Sequence, residues 1–134
     1  MIRSVLEYGA STWSPYFKKD IDLLEGVQHR CLRLSNEEIL LPTLYQRRLF
    51  TDLCEVYKYM HGYYKSGAEE LFHRAERQLG GHSLKLNRPY AKTLTRSNFF
   101  SVRVVTRWNS LPEQVVQATS LAQFKEKLSV LLNE

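Results

Sequence analysis

The sequence predicts a mainly α-helical fold: one bundle of about five helices, with a weak signal for a small β-hairpin near residues 82–95. Apolar residues recur three and four positions apart along most of the chain, the period of helices buried on one face. Ser-x-x-Glu and Ser-x-x-Gln sequences, which cap helix N-termini, precede several of these stretches. The 134 residues suit one domain. We divide it into a three-helix part (1–62), an irregular basic segment (63–96) and C-terminal helices (97–134).

Two helices are predicted before residue 36. The first has an apolar face made of Ile2, Val5, Leu6, Gly9 and Trp13. The chain opens directly into this pattern, as we expect of a piece of a longer protein. Ser14 predicts the cap of the second helix, and Pro15 suits its first position. The apolar stripe of the second helix consists of Phe17, Ile21, Leu24, Gln28 and Cys31.

The third helix is predicted from Pro42 to His61, with Gly62 as its stop. Its wide apolar face indicates a central position in the bundle. That face comprises Tyr45, Leu49, Phe50, Leu53, Cys54, Val56, Tyr57 and Met60. Residues 35–38 before it have the form of a capping box that opens at most a short turn.

The segment 63–96 is the least regular. One helical turn is expected over 68–72, and Gly80 and Gly81 predict a break. Residues 82–86 alternate as in a short strand, and 90–95 provide a second extended piece. Together these two pieces would form the hairpin.

The C-terminal part contains three predicted helices. The first runs from Ser97 to Ser110, and we expect its Trp108, like Trp13, to be a core anchor. Ser110 predicts the cap of a short helix through Val116. Ser120 predicts the cap of the last helix, whose stripe is Leu121, Phe124, Leu128 and Leu131.

Charge is distributed unevenly, within a net charge of +5. The tract from Arg77 to Pro112 has no Asp or Glu, and its seven basic residues are Arg77, Lys85, Arg88, Lys92, Arg96, Arg103 and Arg107. This tract favours a polyanionic partner such as nucleic acid, the alternative being a solvated surface without a partner. No apolar run is long enough to cross a bilayer, and the N-terminus lacks the apolar stretch of a secretory signal.

Motifs for catalysis or for cofactors are not found in the sequence. Asp20 and Asp22 lie two positions apart on a helix, so they point in different directions and do not form the aspartate pair of a two-metal site. Gly80 and Gly81 lack the spacing and the lysine of a phosphate-binding loop. Cys31 and Cys54 stand apart, which favours reduced thiols over a metal site. We predict neither an enzyme nor a cofactor.

One row of arginines is the first candidate for contact with phosphates. Arg96, Arg103 and Arg107 are expected along one edge of the predicted helix, with their stems on the core and their guanidinium groups outward. Such a row can contact successive phosphates. The alternative is pairing within the domain, with Glu113, Glu126 or other acids.

Two further basic sets are weaker candidates. The third helix provides Arg47, Arg48 and Lys58. The irregular segment mixes an aromatic residue with basic ones, as suits single-stranded or backbone-tracking contact. These residues are Lys85, Arg88, Tyr90 and Lys92.

The same motifs occur, in the same order, in one known family. The chain resembles the region after the palm in reverse transcriptases of LINE-type (non-LTR) retrotransposons, especially the jockey and chicken-repeat lineages. The resemblance covers nearly the whole chain. The N-terminal matches are Leu6-Glu7-Tyr8-Gly9, Trp13-Ser14-Pro15-Tyr16, Leu41-Pro42-Thr43-Leu44 and Arg47-Arg48. The later matches are Gly81-His82-Ser83-Leu84, Asn98-Phe99-Phe100-Ser101, Arg103-Val104-Val105, Trp108-Asn109-Ser110-Leu111-Pro112 and Phe124-Lys125.

The resemblance implies a single thumb-like domain that is non-catalytic and helps to hold a template–primer duplex. Its partner would be the backbone of RNA, DNA or an RNA–DNA hybrid, in an intracellular, nuclear location. The palm with the catalytic aspartates would lie upstream of the chain. The connection over 34–41 is shorter than in the family, which requires a tight turn. The alternative function is a domesticated or orphan protein-interaction module that forms a homodimer.

Overall fold

The computed structural model describes residues 8–9, 14–35, 42–65, 68–76 and 80–132. This part of the chain is mainly helical, as predicted. Its helices are α1 (Lys18–Leu34), α2 (Leu44–Met60), α3 (Ala68–Leu71), α4 (Leu94–Ser97), α5 (Phe100–Asn109), α6 (Glu113–Val116) and α7 (Leu121–Leu132). The helix predicted from Ile2 to Trp13 and the capping box predicted at 35–38 lie outside the described residues, apart from residues 8, 9 and 35.

Polar contacts attach α1 to the start of α2. The N-cap of α1 is Phe17, which makes no side-chain capping hydrogen bond, so the prediction of Ser14 as the cap was wrong. Gln28 is the buried residue of α1, and its amide donates to the carbonyl of Pro42 at 3.4 Å. The Glu25 carboxylate accepts a hydrogen bond from a backbone N–H in the first turn of α2. A carboxylate at that position also interacts favourably with the helix dipole.

Both ends of α2 are set by local sequence. Thr43 and Gln46 form a capping box in which each side chain accepts a hydrogen bond from the backbone N–H of the other. At the other end, Gly62 has a φ of +75°, a conformation that glycine adopts without a steric penalty. The N–H of Tyr63 then reaches back to the carbonyl of Lys58 at 3.0 Å. The predicted stop at Gly62 is confirmed.

The core forms where α2 packs against α5 and α7. Trp108 is fully buried, which confirms its prediction as a core anchor, whereas Trp13 lies outside the described residues. Tyr57 stacks on Phe124, with ring centroids 4.4 Å apart, and its hydroxyl donates to the carbonyl of Ala118 at 2.6 Å. The other fully buried side chains of these helices include Leu53, Val56, Val104, Val105 and Leu128. The predicted central position of α2 is therefore confirmed.

The extended piece at 82–86 does not pair with residues 90–95. It lies instead beside residues 73–75, where Arg74 and Leu86 form an isolated antiparallel bridge. Two backbone hydrogen bonds flank this bridge: Ala75 donates to Lys85 at 2.9 Å, and Asn87 donates to His73 at 2.7 Å. The chain from Leu94 onward forms α4 instead of a strand. The described residues thus contain this bridge in place of the hairpin.

The C-terminal end of α5 fastens the same segment, and we call these contacts the α5 anchor. The Trp108 indole donates to the carbonyl of Leu84 at 2.8 Å. The Asn109 amide both accepts from and donates to the backbone of Leu86, at 2.9 Å each. The buried His82 ring accepts from the N–H of Leu84 at Nδ1, so its Nε2 donates to the carbonyl of Trp108 at 2.8 Å. Residues 82–86 are therefore fixed to the core although they have no long strand partner.

The helix predicted from Ser97 to Ser110 is α5, which begins three residues later than predicted and follows a separate short helix, α4. Thr93 caps α4 by accepting from the N–H of Arg96 at 3.2 Å, and α5 starts only at Phe100. Ser110 ends α5 by donating to the carbonyl of Arg107, so its predicted role as the cap of α6 was wrong. Ser120 accepts from the N–H of Gln123 at 3.3 Å, as predicted for the start of α7.

Replacing Tyr57 with Phe tests the buried hydroxyl that joins α2 to Ala118, two residues after the end of α6. We expect the free energy of unfolding to fall by about 1–2 kcal/mol, because the carbonyl of Ala118 loses its donor in the core. The measurement is urea denaturation of the wild type and the variant. Tyr90→Phe is the matched control, since Tyr90 is 88% exposed. An equal effect of both substitutions would contradict the assignment.

Candidate nucleic-acid interface

A basic and aromatic surface follows the α5 anchor along the chain. Arg88, Lys92 and Arg96 are exposed on the segment that leads from residue 87 to α5. Tyr90 is 88% exposed in their midst, and Phe99 is 51% exposed. The Arg96 guanidinium carbon lies 5.2 Å from the centroid of the Phe99 ring, a cation–π distance. We call these five residues the basic loop surface.

The exposed cations of this region have no acidic partner among the described residues. None of the three residues Arg88, Lys92 and Arg96 forms an ion pair with a described residue. Arg107, which is exposed on α5, donates a hydrogen bond to the Tyr45 hydroxyl at 3.2 Å, a neutral partner. Their charges are therefore available to an external anion, and the prediction that these residues are outward-facing cations agrees with their positions.

Lys85 lies apart from the basic loop surface and is only half exposed. Its side chain crosses over Gly81, where an added Cβ would lie 2.5 Å from the Lys85 Cε atom. Gly81 also has a φ of +82°, so it combines a backbone that favours glycine with a close approach. The stem of Lys85 thus covers the turn before residues 82–86 instead of extending into solvent.

Arg103 turns inward and does not continue a row with Arg96 and Arg107. Its Nη2 atom lies 3.2 Å from Oδ1 of Asp52, and its Nε donates to Oδ2 at 3.3 Å. Its Nη1 donates to the carbonyl of Asn98 at 3.1 Å. The predicted row is therefore broken in two places, because Arg96 belongs to α4 and Arg103 pairs within the domain. Asp52 is the partner, not Glu113 or Glu126.

The arginines of α2 are also turned away from solvent. Arg48 is 3% exposed, so the expectation that it contacts phosphates from the surface does not hold in this structure. Arg47 is half-buried and donates to the Gln28 side chain of α1. Lys58, the third cation predicted on this helix, forms an ion pair with Glu55 at 2.8 Å. Arg47 thus contributes to the contact between α1 and α2, whereas the ion pair of Lys58 lies within α2.

Asp52 is the site residue that sequence reasoning missed. It lies three residues after Leu49 and four before Val56, both on the apolar face of α2, so helical spacing places an acid among core positions. An acid among the apolar positions of α2 was therefore the feature of the sequence that could have predicted a buried ion pair. Burial raises the pKa of the Asp52 carboxyl to about 6, against the lowering effect of Arg103 and Arg48.

A cleft of about 250 Å³ opens between α2 and α5, beside the start of α1. Its charged lining consists of Arg48, Asp52, Arg103 and Arg107. Its other polar groups come from Ser14, Tyr45 and Asn98. Apolar walls are provided by Pro15, Tyr16, Ile21, Leu49 and Val104. We call this cavity the arginine cleft, and it is a place where part of an anionic ligand could be partly withdrawn from water.

The raised pKa of Asp52 leads to a prediction of how stability depends on pH. The unfolded pKa is about 3.9, so the stability linked to this group is fully present below about pH 4 and is lost as pH rises through 6. Asp52→Asn does not titrate. Between about pH 4 and pH 7 the wild type should lose up to about 3 kcal/mol relative to that variant. Urea denaturation at both pH values measures the difference. If the wild type instead became more stable relative to the variant as pH rises, the attraction of Arg103 would outweigh burial in setting the pKa of Asp52.

The remaining chemistry of the described residues is limited. Both cysteines are free, and burial raises the pKa of the Cys54 thiol to about 11. Within the described ranges, no group of three His, Cys, Asp or Glu side chains could hold a metal ion. None of the helices in those ranges has the length and apolar character needed to span a bilayer. Comparisons with protein-family models, with curated proteins and with solved structures found no match to this chain.

Proposed function

We propose that this chain is a non-catalytic nucleic-acid-binding domain of the reverse-transcriptase thumb type, which grips the backbone of RNA, DNA or a hybrid duplex. The observation that carries the proposal is the basic loop surface: Arg88, Lys92 and Arg96 are exposed and have no acidic partner in the described part of the chain, and they lie next to two exposed aromatic rings. The collinear resemblance to LINE-type reverse transcriptases supports the same function. The partner would be the template–primer of a polymerase whose palm lies elsewhere.

Binding would be driven mainly by electrostatics. Each cation that neutralises a phosphate releases a condensed counterion, so affinity falls steeply as salt rises. Arginine offers several donors in a planar fork, which suits phosphate oxygens. Tyr90 and Phe99 offer flat faces on which unpaired bases could stack, whatever their sequence. The combination predicts strong salt dependence and weak sequence preference.

A triple substitution tests this surface. Arg88→Gln, Lys92→Gln and Arg96→Gln together should weaken binding to a labelled RNA–DNA hybrid, and the slope of log affinity against log salt should become shallower by about 2–3, since each lost phosphate contact contributes about 0.7–0.9. Fluorescence anisotropy at several salt concentrations measures both quantities.

The matched control for that triple variant lies on α1. Lys18, Arg30 and Arg33 are also one lysine and two arginines, all exposed, so their replacement by Gln changes the net charge equally. If the control variant weakens binding as much as the loop variant, the effect is one of net charge and the interface is misplaced. A folded wild type that binds no hybrid at low salt would remove the proposal.

The second candidate function is self-association of this chain through α1. Leu23 is 68% exposed and Leu34 is 83% exposed, and their spacing of eleven residues puts them on the same face of the helix. Contiguous exposed apolar patches mark protein–protein interaction sites. A second copy of the chain could cover this face with its own α1.

Light scattering after size-exclusion chromatography, repeated over a wide dilution range, tests self-association. If α1 is the interface, the wild type should pass from dimer to monomer on dilution, and Leu23→Ser with Leu34→Ser should be monomeric throughout. Val130→Ser is the control, because Val130 is 60% exposed on α7. A wild type that is monomeric at every concentration would exclude the dimer.

A further inference from the structure

The arginine cleft is rich in basic side chains. Among the described residues, its lining includes three arginines and one acid, Asp52. That acid is occupied by Arg103, with which it forms paired hydrogen bonds. The Coulomb attraction of this cavity for an anion is stronger than at an open surface, because its apolar walls and buried floor lower the local dielectric constant.

Arg107 and Tyr45 are the groups best placed to meet an anion there. Arg107 is exposed and, among the described residues, its one hydrogen bond goes to the Tyr45 hydroxyl. That bond uses the hydroxyl as an acceptor, so the Tyr45 proton remains available for donation. A guanidinium fork and a phenol O–H side by side present donors of the kind that phosphate oxygens accept.

Arg103 forms the inner wall of the cleft in a fixed orientation. The Asp52 carboxylate holds two of its nitrogen atoms, and the carbonyl of Asn98 holds the third. The Phe100 ring lies 5.8 Å from the guanidinium carbon. Because these contacts fix the guanidinium before a ligand arrives, its charge is presented to the cavity without further ordering of the side chain.

The size of the cleft suits a small anion. Its volume of about 250 Å³ far exceeds the roughly 10–15 Å³ that a single water molecule requires. A phosphoryl group therefore fits with space to spare for the carbon to which it is esterified. The apolar walls at Pro15, Ile21 and Leu49 would contact that carbon-rich part.

We infer that the arginine cleft binds one phosphoryl group. Arg107 and Tyr45 contact this group directly, and Asp52 holds Arg103 in position beside it. The group is either a phosphodiester of the bound strand or a free phosphate monoester. The inference deepens the proposed function and rests on it for the first of these sources. It adds a single discrete site to a surface that is otherwise diffuse.

Titration of the folded full chain with inorganic phosphate, at constant ionic strength in chloride, tests the site. Amide and arginine side-chain NMR signals near Arg107 and Tyr45 should shift and saturate. Arg107→Gln should weaken this binding at least about tenfold, because it removes the charge-assisted contact. Tyr45→Phe should weaken it less, since it removes one neutral donor. Arg33→Gln, an equal charge change at an exposed residue of α1 outside the cleft lining, should leave it within about twofold.

Three results would overturn the inference: shifts that never saturate, equal weakening by Arg33→Gln, or saturable shifts that lie away from the cleft. Circular dichroism and thermal melting of each variant establish that it is folded. Because Arg107 is exposed, its substitution is not expected to disturb the core.

Competition identifies the source of the phosphoryl group. If a single-stranded oligonucleotide displaces phosphate both with and without a 5′-phosphate, the cleft binds a phosphodiester. If only the 5′-phosphorylated strand displaces phosphate, the cleft binds a terminal monoester. If phosphate saturates the cleft but no oligonucleotide binds the protein, the cleft stands as a site for free phosphate and the proposed function fails. If oligonucleotides bind but phosphate does not, and Arg107→Gln behaves like Arg33→Gln, the cleft fails and the proposed function stands.

Discussion

The α5 anchor is the constraint on which the arrangement of the basic surface depends. Residues 82–86 have no long strand partner, and they stay in place because Trp108, Asn109 and His82 connect them to the C-terminal end of α5. The Asn109 amide occupies both backbone groups of Leu86, as a neighbouring strand would. All of these contacts are buried or partly buried, where an unmade hydrogen bond is costly. The basic segment begins directly after this anchor and ends at α5 itself.

Cations of this domain fall into two classes according to their neighbours. Arg88, Lys92 and Arg96 follow the anchor on an irregular stretch without acids, and no acid within the described ranges forms an ion pair with them. Arg48 and Arg103 lie on helices of the core, where a charge persists only with compensating contacts. The first class suits a long polyanion, and the second shapes a cavity. Arg107 lies at the boundary, exposed yet lining the cleft.

The long periodic helices could be predicted from the sequence, because helical spacing is local information. The positions of α2 and α7 along the chain followed from it, and so did the burial of Trp108. The hairpin could not be predicted correctly, since residues 82–86 find their partners at residue 74 and at Asn109, and neither pairing leaves a signal in the strand itself. The separate short helix α4 was also missed, because Thr93 provides a cap where the apolar period gives no sign of a helix.

The candidate site was predicted in part. The exposed positions of Arg88, Lys92 and Arg96 agree with a tract that contains no acid. Arg103 was misjudged because its partner lies 51 residues away on another helix. An ion pair across such a separation depends on which faces of two helices meet, and the packing of the whole bundle decides that. Asp52 on the apolar face of α2 was the one local sign of it.

Because the basic segment is held at Leu86 and again at Phe100, most of its chain entropy has already been lost when the domain folds. A free peptide of the same sequence would lose that entropy on binding, and its affinity would fall accordingly. The folded domain therefore presents a short linear sequence as a shaped surface. A substitution at Asn109, far from any phosphate, could then weaken binding by loosening the segment without removing a single charge.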